Sequence, residues 1–115
     1  MGRPLAVRWG AHELPELHAG SLAAVRIELT NVGDTPWRGD RFTVSYHWLD
    51  DLGNAIVWDG LRTRVEAAPG ATARVDADVR APIPPGRYRL SLDLVDEGRF
   101  WFGELGEPTL DFEVD

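Results

Sequence analysis

Along much of the chain apolar and polar residues alternate with a period of two, the pattern of strands buried on one face. In the first long run Val25, Ile27 and Leu29 alternate with Ala24, Arg26, Glu28 and Thr30, so one face is apolar and the other wet. Phe42, Val44, Tyr46 and Trp48 next share a face, with Thr43, Ser45, His47 and Leu49 opposite, which points the aromatic side inward. Two further runs repeat the alternation. Ala73, Val75, Ala77 and Val79 intercalate with Thr72, Arg74, Asp76 and Asp78, and Tyr88, Leu90, Leu92 and Leu94 with Arg87, Arg89, Ser91 and Asp93. Shorter candidates lie at the N-terminus through Trp9, at 55–59 and 61–65 about Gly60, at 99–102, and at Leu110, Phe112 and Val114.

Turn chemistry separates these runs. Residues 31–36, Asn-Val-Gly-Asp-Thr-Pro, favour a tight reversal, and 50–54 and 67–70 read as further turns. The stretch 81–86 holds three prolines without an N–H and is a connector, not a strand. Asp96, Glu97 and Gly98 form a three-residue hairpin candidate with glycine at the left-handed position. About 7–8 antiparallel strands and no substantial helix predict an all-β, immunoglobulin-like two-sheet β-sandwich, with a jelly-roll order as the rival.

A chain of 115 residues with 43% hydrophobic content matches one domain over 1–115. No apolar run approaches the roughly 20 residues of a membrane-crossing helix, and the N-terminus lacks the apolar centre of a secretory signal, so a soluble protein is expected. Ala6 stands where a myristoylation pattern needs Ser or Thr. The net charge of −7 disfavours nucleic acid and anionic membrane as partners. Without cysteine there is neither a disulfide framework nor a thiolate metal site. All basic residues are arginine, a bias in keeping with a GC-rich bacterial genome.

Catalytic chemistry has little to stand on. Ser21, Ser45 and Ser91 lack a nucleophile elbow, and His12, His18 and His47 lack the spacing of a zinc site, although His12 and His18 share an expected loop with Glu13 and Glu16. The acidic pairs Asp50-Asp51 and Asp96-Glu97 are explained by turn formation. No enzyme activity, metal or cofactor is expected, and a small hydrolase is the least favoured reading.

Five tryptophans are the unusual feature. Trp48 and Trp37 suit the core. Trp101, between Phe100 and Phe102, faces away from them and so outward on the sheet that carries Ser45, His47, Arg89, Ser91 and Asp93. An exposed indole with an imidazole and hydrogen-bonding neighbours can grip a sugar ring or a partner's apolar side chain. The candidate ligand-binding residues are therefore Trp101, Trp58, His47, Arg89, Ser91 and Asp93; the alternative is that a strand, loop or further domain covers Trp101.

Residues 29–37, Leu-Thr-Asn-Val-Gly-Asp-Thr-Pro-Trp, with Ala81-Pro82, Pro85-Gly86-Arg87-Tyr88-Arg89-Leu90 and Trp101-Phe102-Gly103, resemble the four-tryptophan domain. That immunoglobulin-like module is known from selective-autophagy cargo receptors and has relatives in bacterial multidomain proteins. Only Trp37 and Trp101 match its tryptophans; the strand before the turn has Val25-Arg26-Ile27 and the strand after Tyr88 has leucines. Ser45 to Asp50 with Val57-Trp58-Asp59-Gly60 also look like accessory sandwich domains that accompany bacterial glycosyltransferases or polysaccharide-handling proteins. These resemblances imply a non-catalytic accessory module in a bacterial multidomain or polysaccharide-related system, whose exposed aromatic sheet face meets a glycan or a protein partner. The alternative is a protein-interaction or structural domain, with weak self-association through an edge strand.

Overall fold

A computed structural model describes residues 3–84 and 86–115. Its first sheet has the order β1-β2-β6, from Val7–Glu13, Leu22–Asn31 and Thr72–Arg80. The second is centred on β3 (Phe42–Asp50) and β7 (Tyr88–Asp96). Beyond β3 lie β4 (Ala55–Val57) and β5 (Thr63–Arg64), two pieces of one row interrupted at 58–62. Beyond β7 lie β8 (Phe100–Trp101) and β9 (Leu110–Val114), another divided row, between which a 3-10 helix spans Phe102–Leu105. All described pairings are antiparallel, and the two sheets form the expected immunoglobulin-like sandwich. Among the described residues the nine strands make seven rows.

The alternation seen in the sequence places the core between the sheets. Val44, Tyr46 and Trp48 pair in register with Leu94, Leu92 and Leu90. Opposite them, Val25 and Ile27 pair with Ala77 and Val75. Trp48 is fully buried, and its indole N–H donates to the Arg80 carbonyl at 2.9 Å, whereas the buried indole N–H of Trp37 has no partner among the described residues. The motif at residue 31 has a physical role too. Buried Asn31 donates from Nδ2 to the carbonyls of Thr35 and Ala67 and accepts from the Gly33 N–H, tying the turn to the facing loop beside Trp37.

Several expectations need correction. His12 and Glu13 belong to β1 and not to a loop, and the His12 ring packs edge-on against Phe112 at 5.1 Å. The first strand starts at Val7; Met1 and Gly2 lie outside the described residues, as does Pro85 of the connector. The hairpin turn falls on residues 97–99, which leaves Asp96 as the last residue of β7 with a fully buried carboxylate, so turn formation does not explain it. Asp50 does serve its turn, accepting the N–H groups of Leu52 and Asn54. Among the described residues no helix is long and apolar enough to cross a membrane.

Candidate functional site

The outward face of β3 and β7 reads as polar, yet it is covered. Ser45, His47, Ser91 and Asp93 are all buried. The cover comes from the interruptions in the flanking rows. Residues 58–62 bulge between β4 and β5, and Trp101 enters from β8 just before the chain winds into the 3-10 helix. Gly60 holds the first of these close to the sheet by donating its N–H to the Tyr46 carbonyl at 3.0 Å. A Cβ there would sit 2.7 Å from Tyr46 ring atoms. Gly60→Ala should therefore displace the bulge and cost about 1–3 kcal/mol, the usual penalty of overpacking, which urea denaturation followed by tryptophan fluorescence would measure.

Three aromatic rings cluster on this face, two of them stacked. The Trp58 indole lies nearly parallel to the His47 imidazole, with centroids 3.7 Å apart and planes 19° apart. His47 also meets Trp101, with centroids 4.1 Å apart and planes tilted by 39°. The Nδ1 atom of His47 hydrogen-bonds the Trp58 carbonyl. Because a carbonyl only accepts, this bond places the proton of the neutral ring on Nδ1. Burial pushes the His47 pKa below its ordinary value, against the opposing pull of the Trp58 carbonyl.

Arg62 locks the stack in place. Its guanidinium lies 5.0 Å from the Trp101 ring centroid and donates to Ser45 Oγ, the Gly60 carbonyl, Asp59 and both oxygens of Glu97. This residue had no local signal in the sequence. It looked like one position in a short strand, and its importance depends on contacts 17 and 35 residues away.

Of the candidate residues, Trp58, His47 and Trp101 come together. Trp58 is 47% exposed, whereas Trp101 is only 7% exposed. Of the two readings of Trp101, exposed or covered, the structure shows the covered one: it faces outward as the alternation requires, but Trp58, His47 and Arg62 lie over it. Arg89 and Ser91 are engaged with β9 instead, where Arg89 pairs with Glu113 and Ser91 donates to Asp111 at 2.7 Å. Asp93 is no surface group either. Only 1% exposed, it accepts N–H bonds from Leu94 and Gly103, and burial pushes its carboxyl up to about 7. Gly103 has no room for a side chain here, since a Cβ would lie 2.7 Å from Asp93 Oδ2.

No protein-family model matches the chain, and no curated protein matches it. The likeness to the four-tryptophan domain rests on the residues quoted for it.

Proposed function

We propose that this chain is a non-catalytic accessory module, belonging to a bacterial multidomain or polysaccharide-handling system, that holds a sugar ring against Trp58. The observation that carries this reading is the half-exposed indole stacked on a buried imidazole, which fixes the ring before any ligand arrives. Sugars present a C–H face that packs on an aromatic plane and hydroxyls that need hydrogen-bond partners around it. Asp59, Arg62 and Glu97, linked to one another beside the stack, supply both acceptors and donors. His47 and Trp101 serve as support beneath the contact residue.

A glycan array probed with the wild type and Trp58→Ala tests this. Saturable binding, lost in a variant whose circular dichroism is unchanged, is the expected result; wild-type silence across the array overturns it. A protein partner is the second reading. It is favoured by Leu52, Ile56 and Leu61, which are 82%, 49% and 42% exposed in the same segment as Trp58. Self-association along β6 has less to work with, because the outward N–H groups of Asp78 and Arg80 already donate to Thr63 Oγ1 and Tyr46 Oη.

A further inference from the structure

A cleft of about 470 Å3 lies between residues 3–5 and the corner where β8 passes into the 3-10 helix. Two carboxylates are sealed beneath it. Asp96 is 0% exposed and accepts from Arg41 Nε at 2.6 Å and Nη2 at 3.0 Å. Glu107 is 4% exposed and accepts the Val7 N–H through Oε1 and Arg3 Nη1 through Oε2. Such buried carboxylates orient the guanidinium groups while staying out of reach of a ligand. The arginines themselves face outward, with side chains 66% exposed at Arg3, 43% at Arg41 and 56% at Arg99.

Arg99 is the least committed of the three. Its nearest carboxylate oxygen, on Asp96, is 3.6 Å away, and its guanidinium lies 5.2 Å from the Phe100 ring centroid. Three arginines against two carboxylates leave one surplus positive charge, in a chain whose net charge is −7. Leu5, Phe100 and half-exposed Leu105 add an apolar wall. We infer that this cleft binds a monocarboxylate carried on a small apolar body. A single anionic group matches the single surplus charge, guanidinium N–H donors suit a carboxylate, and the volume falls within the roughly 300–1,000 Å3 of ligand sites. The site is separate from the Trp58 stack.

The test is a nitrogen–proton correlation NMR titration of the full chain with phenylacetate, beside phenylacetamide, which keeps the body without the charge, and acetate, which keeps the charge without the body. Phenylacetate should give saturable shifts at the amides of Arg99, Phe100 and Leu105, with both controls much weaker. Arg99→Gln should weaken binding about tenfold, the effect of losing one charge-assisted contact. Leu105→Asp, at an exposed position that tolerates polarity, should do the same by repulsion. Absence of saturation, equal shifts with phenylacetamide, or unchanged affinity in both variants, whose spectra report directly on folding, would overturn the inference.

Discussion

Replacing Asp93 by asparagine should leave stability unchanged near pH 4 and raise it progressively as the pH climbs to about 7, after which the gain stays constant. The folded carboxyl holds its proton up to about 7, against an ordinary value of 3.8. Between those limits the folded chain binds more protons than the unfolded one, so wild-type stability falls as pH rises. Asparagine resembles the protonated acid in shape, and its single Oδ1 can still accept the Leu94 and Gly103 N–H bonds that now reach Asp93 Oδ1 at 2.8 and 3.2 Å, but it has no charge to bury. The gain above pH 7 is at most about 4 kcal/mol, each pKa unit being worth about 1.4 kcal/mol. Urea denaturation of both proteins from pH 4 to 8 measures it. A pH-independent difference would mean that Asp93 is ionised in the fold throughout.

His47 acts in the opposite sense within part of the same range. Its folded pKa lies below the ordinary 6.5, so the unfolded chain takes up the proton first as the solution is acidified. Stability from this group is complete above 6.5 and is lost as pH falls from that value through the lower folded one. The wild type therefore superimposes two opposed slopes. In Asp93→Asn only the histidine slope remains, so stability should be level above pH 6.5 and decline below it; Asp50, whose pKa is lowered by its turn N–H bonds, adds its own loss only below 3.8.

The alternation of Phe42, Val44, Tyr46 and Trp48, and of Leu90, Leu92 and Leu94, was enough to place the core, because period two leaves each strand only one apolar face to bury. The same rule oriented Trp101 outward. It failed for the opposite faces of those strands, where Ser45, His47, Ser91 and Asp93 look like solvent-facing residues but are enclosed. Enclosure depends on the bulge at 58–62 and on the 3-10 helix, and neither reaches these residues through a local pattern. The clues available were indirect: Gly60 soon after Trp58 and Gly103 soon after Trp101, each where the backbone comes too close for a side chain. Asp96 was misread for a related reason. A one-residue offset in the turn converts a solvated loop acid into a buried ion-pair partner.

The contrast between Trp58 and Trp101 gives the other large expected effect. Trp101→Ala should destabilise the domain by about 3–5 kcal/mol, the range for removing a buried tryptophan, whereas Trp58→Ala should cost about 1 kcal/mol through its lost stacking. Trp101 is 7% exposed and touches His47, Trp58 and Arg62, so its removal leaves a void under all three. Trp58 contributes one stacked face and turns much of its remaining surface to solvent. In urea denaturation the two variants should separate clearly. If Trp58 is the contact and Trp101 its support, ligand binding should vanish in the stable Trp58→Ala protein, while in Trp101→Ala it should weaken together with stability. Equal destabilisation by both would mean that Trp58 is held chiefly as a packing residue, leaving no ring held ready for a ligand.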